Sequence, residues 1–279
     1  MTTSPPVDRG IVWTLPQMQN LRFMRANYVR HSFKPHAHDY YVLGIIETGL
    51  QSFTHRKALH VTRPGRLIVI NPDEVHTGEA AAEDGFAYRA SYPTVALMQS
   101  VLSEFHTRSD RLPAFGSSVF HDEQLYTWFQ QIHHRSEFPE ETLAIDESLT
   151  GFLVTLVQRH TQNIDSLPVY RTAPQAVAMA QDYIEAHYAT NISLDELSRL
   201  VNISPYHFVR LFRRHIGVPP HKYLENVRIR HAERLLAAGT PIVDVAMMTG
   251  FSSQPHLTRT FKRFMGTTPG EFARQRKIV

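Results

Sequence analysis

Cysteine is missing from all 279 residues. Its absence excludes disulfides and thiol catalysis and fits a reducing, cytoplasmic compartment. The start, Met1-Thr2-Thr3-Ser4-Pro5-Pro6, lacks a basic end followed by an apolar run, so no signal peptide is read. No later stretch stays apolar for long enough to span a membrane, and no membrane partner is expected. A large net charge is also lacking: 29 Lys/Arg stand against 26 Asp/Glu, a formal +3. What is present is ordinary. The apolar fraction is 42%, enough for normal cores, and the length allows one or two domains.

The small net charge conceals an asymmetry. Residues 174–279 carry 14 Lys/Arg against 8 Asp/Glu, a surplus of +6, and the rest carries 15 against 18, a deficit of −3. A basic C-terminal part joined to a mildly acidic N-terminal part is what a nucleic-acid module attached to a different module shows.

The basic part contains a duplication. Ser204-Pro205-Tyr206-His207-Phe208-Val209-Arg210-Leu211-Phe212-Arg213-Arg214 recurs as Ser253-Gln254-Pro255-His256-Leu257-Thr258-Arg259-Thr260-Phe261-Lys262-Arg263. In one register, Asp195 matches Asp244, His207 His256, Arg210 Arg259, Phe212 Phe261, Gly217 Gly266 and Pro220 Pro269. Two copies are too few for a solenoid, which needs three or more. Each copy reads as a short helix, a turn and a second helix. In the first, Ser193 and Glu196 form a capping box, Asn202-Ile203-Ser204 breaks the helix, Ser204 caps the next one with Pro205 at its first position, and Gly217 ends it. In the second, Thr240 is expected to cap, Gly250 to make the turn, Ser253 to cap again and Gly266 to stop. Tyr206, Val209, Arg210, Arg213 and Arg214 are left outward in copy one, and Gln254, Pro255, Thr258, Arg259, Lys262 and Arg263 in copy two. Arg and Gln near a helix N-terminus suit base edges, and cations further along, such as Arg213 and Lys262, suit phosphates. The long amphipathic run between the copies, residues 221–238, is a spacer that would set two reading heads one groove apart.

The run from Asn191 to Lys277 resembles the DNA-binding region of the AraC/XylS transcription regulators, which carry two such motifs on either side of one linking helix. By that resemblance, base contacts fall to Tyr206, Val209 and Arg210, and to Gln254, Pro255, Thr258 and Arg259. Two positions depart from the pattern. Pro255 cannot hydrogen-bond a base where a polar residue is common, and Ser198 stands where a small apolar residue is usual.

The N-terminal part reads differently. Residues 1–16 are Pro- and Thr-rich at the front and are expected to be mobile. From Leu21 to Pro93, short strands such as Val42–Ile46, Leu67–Ile70 and Phe86–Ala90 alternate with turn signals, which argues for a sandwich or barrel. His36, His38 and Tyr40 would share one face of a strand, and Asn71-Pro72-Asp73-Glu74-Val75-His76 forms a second cluster. Together these resemble the two motifs of the cupin barrel found in the sensor half of AraC-type regulators. Cupin enzymes grip a metal with His-x-His, a nearby glutamate and a later His, and here that glutamate is absent. Three readings of His36, His38 and His76 are open: hydrogen-bonding groups in a small-molecule pocket with Tyr40 and Tyr88, a three-imidazole site for a divalent metal, or ordinary barrel histidines. The first is taken, with no metal or cofactor assigned. With Arg89 nearby, the mouth would suit a small polar or carboxylate-bearing effector of unknown identity.

Helices are expected at 94–106, 121–135 and 142–160, the last with an apolar stripe wide enough to cap the barrel or to form a dimer seam. Residues 161–173 read as a linker and 174–188 as the first helix of the C-terminal part. The expected architecture is therefore α+β: a cupin-like β-barrel with flanking helices for sensing and dimerisation over 1–160, then an all-α double helix-turn-helix domain over 174–279, its motifs at 193–215 and 241–264. The function expected is a bacterial, ligand-responsive, AraC-type regulator. It would bind double-stranded promoter DNA through two adjacent major grooves, as a homodimer, with RNA polymerase as a further partner. The rival reading is a metal-dependent cupin enzyme with an accessory DNA-binding domain, which the missing glutamate argues against. The third is a ligand-blind regulator whose barrel only dimerises.

Overall fold

The computed structural model describes residues 8–105, 112–138, 140, 142–161 and 174–275. The strands are β1 Arg9–Leu15, β2 Leu21–Tyr28, β3 Phe33–His36, β4 Val42–Gly49, β5 Gln51–His55, β6 Ala58–Thr62, β7 Leu67–Ile70, β8 His76–Ala80, β9 Phe86–Tyr92 and β10 Val119–Phe120. They form a six-stranded sheet, in the order β1-β2-β9-β4-β7-β10, and a four-stranded sheet, β3-β8-β5-β6. Every pairing in them is antiparallel. Ala26, Val42, Ile46, Phe53, Ile68, Ile70, Phe86, Tyr88 and Ala90 make one buried cluster with Phe33 and Ala80 against it, so both sheets contribute to a common core.

The strands follow from period-2 alternation where one face is wet, and from continuous apolar runs where both faces are covered. Val42–Ile46 is buried throughout, because β4 is central, between β9 and β7. The expectation of a mobile start is overturned for Arg9–Leu15. This segment pairs along its whole length with β2, from Arg9 opposite Asn27 to Leu15 opposite Leu21. Trp13 anchors it by stacking on Phe23 and donating its indole N–H to Ser136. Residues 1–7 lie outside the described residues.

Three helices follow: α1 Val95–Leu102, α2 Glu123–Glu137 and α3 Thr142–His160. Thr94 and Asp122 cap the first two, accepting from the backbone N–H of Leu97 and Leu125. α1 ends before the expected residue 106, which is itself not described. The α3 stripe is used up within the chain. Leu143, Ile145, Leu149, Phe152, Leu153, Leu156 and Val157 are all at most 3% exposed. Of the two expectations for this stripe, the burial favours packing within the chain. Gly151 lets α2 and α3 approach: a Cβ there would stand 3.1 Å from the Trp128 ring.

The remaining helices are α4 Pro174–His187, α5 Leu194–Val201, α6 Pro205–Ile216, α7 Pro220–Ala237, α8 Ile242–Met248, α9 Gln254–Met265 and α10 Pro269–Gln275. The chain divides into two compact units, residues 1–138 with 149–168 and residues 139–148 with 169–279. In the second unit, α7 serves two small cores. Its first half gives Leu224 and Val227 to a cluster with Ala180, Ile184, Leu194, Leu197, Phe208 and Phe212. Its second half gives Ile229, Ala232 and Leu236 to another with Val245, Ala246, Leu257 and Phe261. The long spacer is therefore the wall shared by both copies. α10 was not expected, although Thr268 and Glu271 spell its capping box: Glu271 accepts from the Thr268 N–H at 2.9 Å while its own N–H reaches Thr268 Oγ1 at 3.3 Å. The expected linker, from residue 162, and the basic end at Arg276 and Lys277 lie outside the described residues. No described helix is long and apolar enough to cross a membrane.

Candidate functional site

Between the sheets of the first unit lies a cavity of about 80 Å³. By cavity arithmetic that is room for several waters or a small ligand fragment. It is lined by His36, His38, Gln51, Phe53, His76, Tyr88 and Tyr92, with Phe33, Val42, Ile68, Ile70, Thr77 and Gly78. Register brings the histidines together: β3 pairs with β8 so that His36 stands directly opposite His76. The expected single strand carrying His36, His38 and Tyr40 is not formed, since β3 ends at His36. The rings converge all the same. His36 and His76 centroids lie 4.4 Å apart, His36 and His38 4.7 Å, and His38 and His76 5.4 Å. Tyr40 stacks on His38 at 4.5 Å and sits at the rim, outside the cavity lining.

Two of these imidazoles are fixed by the backbone. His36 Nδ1 meets the Lys34 carbonyl at 2.6 Å, and His76 Nδ1 meets the Glu74 carbonyl at 2.9 Å. A ring nitrogen beside a carbonyl must donate, so each ring keeps its hydrogen on Nδ1 and its lone pair on Nε2. His38 is pushed down to about 4, first by burial and then by His36, His76 and Arg22, with Asp39 opposing. Burial lowers His76 as well. His38 and His76 are therefore uncharged near neutral pH. Burial raises the Tyr88 phenol well above its usual value, so it stays an O–H. Gly44 makes room for that ring, since a Cβ at Gly44 would come within 2.7 Å of it.

Arg89 is not at this mouth. On β9 it alternates with Tyr88 and points to the opposite face, where its guanidinium meets Glu47 at 2.6 Å, Glu137 and the His133 ring. Both carboxylates are already its partners, so it does not fork onto a ligand. The cation beside the cavity is Arg22, 4.8 Å over the Tyr40 ring and 4.5 Å over the Tyr92 ring. Glu74 supports the site from behind. Its carboxylate accepts from His55, Arg56 and Asn71 while its carbonyl orients His76. Sequence reasoning missed Gln51, Phe53, Tyr92 and Arg22. For the first two a signal existed: Gln51, Phe53 and His55 alternate as the buried face of β5.

In the second unit each copy places a helix after a turn. Ser193 and Glu196 make the expected capping box at α5, and Asn202 turns the chain in the left-handed conformation at φ 52°. Ser204 holds the N-cap position of α6 without a side-chain cap bond; its hydroxyl pairs with His207 Nδ1 at 2.9 Å. Ser253 does cap α9, accepting from the His256 N–H. Thr240 does not cap α8: the N-cap residue is Pro241, which has no side-chain acceptor. Gly217 and Gly266 end α6 and α9 with φ 87° and 74°.

The outward residues sort as follows. Arg210, Arg213 and Arg214 on α6 are exposed, and Arg210 lies over the Tyr206 ring at 5.6 Å. Val209 is half turned into the core. On α9, Gln254, Pro255, Arg259 and Lys262 are exposed, while Thr258 spends its hydroxyl on the Gln254 carbonyl at 2.9 Å. Arg259 is ion-paired with Glu140, and Arg263 with the buried Glu225 of α7 at 2.8 Å. Ser198, the departure noted above, is buried and donates to the Leu194 carbonyl at 2.7 Å, so its polarity is satisfied inside α5.

Comparison with known proteins gives two family models. Residues 20–153 match the AraC-like ligand binding domain, and residues 197–275 match a helix-turn-helix domain. The HTH-type transcriptional regulator YbfI of Bacillus subtilis is 32% identical over 229 residues, 82% of each chain. The probable transcriptional regulator LumQ of Photobacterium leiognathi is 30% identical over 129 residues, 46% of this chain and 51% of LumQ. Among solved structures, an AraC-type transcriptional regulator from Chromobacterium violaceum is 31% identical over 37% of this chain and 93% of its own, with a TM-score of 0.35. The chain belongs to the AraC family of DNA-binding, helix-turn-helix transcriptional regulators, with an AraC-like ligand-binding domain ahead of its DNA-binding domain.

Proposed function

We propose that this regulator reads two adjacent major grooves of promoter DNA with α6 and α9, and that a small molecule held in the histidine-lined cavity sets how well it does so. The duplicated basic face on α6 and α9, carried by one shared helix, is the observation that supports this most. α7 has 18 residues, about 27 Å at ~1.5 Å per residue, comparable with the ~34 Å between successive major grooves on one side of DNA. Tyr206, Arg210, Gln254 and Arg259 then face base edges, with Val209, Pro255 and Thr258 adding apolar contact, and Arg213 and Lys262 meet phosphates. A homodimer in the bacterial cytoplasm, acting on RNA polymerase at the promoter, completes the reading.

Binding-site selection from random duplexes tests it. The expected result is a site with two recognised segments about one helical turn apart, whose preference changes locally in Arg210→Ala and in Arg259→Ala. Selection that returns no preferred sequence, with or without cell extract as a source of effector, would sink it.

On the sensor side, His36, His38, Tyr40, His76 and Tyr88 are the proposed contacts, joined by Gln51. Gln51 is 8% exposed, and its side-chain oxygen has no hydrogen-bond partner. A buried orphan acceptor on a cavity wall favours a ligand that donates a hydrogen bond there. A thermal-shift screen of small polar compounds checks this, since a ligand specific to the folded state raises stability.

A further inference from the structure

The three histidines present more than hydrogen-bonding capacity. One ring nitrogen from each of His36, His38 and His76 lies within 4.8 Å of the others. His36 and His76 donate from Nδ1 to the Lys34 and Glu74 carbonyls. Each therefore turns a bare Nε2 lone pair away from the backbone, and neither Nε2 has a hydrogen-bond partner among the described residues. Two imidazole lone pairs and the His38 ring thus meet in one place. Left so, the lone pairs are poorly satisfied inside a cavity. A carbonyl that fixes the remote nitrogen is the support that metal-bound histidines ordinarily have, because it sets both tautomer and ring orientation.

We propose that His36, His38 and His76 bind one divalent ion of the zinc, cobalt or nickel class. Three imidazoles are a sufficient protein ligand set when a fourth position is left open. The open position faces the cavity. A tetrahedral ion with bonds of about 2.0 Å sets its nitrogens about 3.3 Å apart, so the cluster closes by a small adjustment. His38 is placed to make it, being only partly buried and holding no side-chain hydrogen bond among the described residues. Glu74 is not a fourth ligand, because its carboxylate is held by His55, Arg56 and Asn71. Arg22 has no ion-pair partner among the described residues and stands over Tyr40 and Tyr92. Beside the ion it favours an anion, such as hydroxide or a carboxylate, in the open position. This inference deepens the reading of the cavity as the sensing site, yet the binding itself can be measured apart from regulation.

The test uses the full chain, stripped with a chelator and dialysed, then titrated with Co²⁺ alone and, separately, with Zn²⁺ in a calorimeter. The expected result is one ion per chain, with visible Co²⁺ absorption of the intensity that four-coordinate sites show. His36→Ala and His76→Ala should abolish it. His38→Gln alters only a partly exposed ring, and should weaken Zn²⁺ binding at least ~10-fold while circular dichroism stays unchanged. Less than a tenth of an ion per chain would overturn the proposal, as would binding in His38→Gln within twofold of the parent. Random-duplex selection on the same samples keeps the two ideas separate. Sequence preference without metal uptake refutes this site and spares the regulator, and metal uptake without sequence preference does the reverse.

Discussion

The first helix-turn-helix copy opens with a full capping box from Ser193 and Glu196, whereas the second opens at Pro241, which offers the helix no acceptor. The first turns at Asn202 and the second at Gly250, where a Cβ would stand 2.7 Å from the Ala189 carbonyl. Their recognition helices differ in the same spirit. Arg210, Arg213 and Arg214 have no ion pair among the described residues, while Arg259 and Arg263 are held by Glu140 and Glu225. Among the repeated residues, the buried Phe212 and Phe261, the buried His207 and His256, and the glycines that end each second helix build the scaffold, while the repeated Arg210 and Arg259 are exposed. Duplication has kept the packing and let the edges and the charge pairing diverge. On the proposed reading, the first copy offers cations with no ion pair among the described residues, and the second would release some of its own before meeting phosphate or base.

The largest effects should come from the shared scaffold. Phe212→Ala and Phe261→Ala each remove a fully buried ring from a separate core, and each should cost about 3–5 kcal/mol in urea unfolding of the full chain. A large loss from one and almost none from the other would break the idea of two equivalent cores. Next comes DNA affinity. Arg210→Ala should weaken specific binding by about 1–3 kcal/mol at fixed salt, and Arg259→Ala by less, because Arg259 gives up Glu140 when it binds. Competition titrations that show equal losses would remove the argument from charge pairing.

A third difference is sensitivity to pH. Asp146 accepts from the Leu194 N–H at the start of α5, and burial, opposed by that bond, raises its carboxyl to about 7. One of its oxygens is buried with no hydrogen-bond partner. A carboxyl raised above its ordinary value binds its proton more tightly in the folded state. Stability should therefore fall as pH rises from about 4 to about 7 and level off above that. Asp146→Asn should flatten this dependence and stabilise the protein by roughly 1–3 kcal/mol at pH 8. Melting curves across that range that leave the mutant as pH-sensitive as the parent would refute it. The smallest effect is expected from the cap: Ser193→Ala should cost about 1 kcal/mol. Hydrogen exchange should register this loss in α5 and leave α8 unchanged.

The helical half was the more legible part, because its information is local. Capping boxes, Pro at a first helical turn, Gly at helix ends and 3.6-residue periodicity all act within a few residues, and a second copy in the same register confirmed the pattern. The cap at Thr240 failed because the residue beside it, Pro241, took the N-cap position, a choice of one residue that propensity does not resolve. The strand half was readable as alternation but not as pairing. Arg9–Leu15 looked like a loose end because its partner, β2, is defined only once the sheet exists. Alternation already sets Tyr88 and Arg89 on opposite faces, but only the fold decides which face α2 covers and which lines the cavity.

By itself, then, the sequence determined that the chain has two kinds of part, where the reading helices begin and end, and that histidines cluster near residues 36 and 76. Tertiary structure alone decided that His36 and His76 lie directly across from one another, that Gln51 and Tyr92 join them, and that Arg89 does not. The physical reason is range. Helix signals are settled by bonds three and four residues apart, whereas a cavity wall is assembled from strands whose register and facing are fixed only by the packing of the whole sheet.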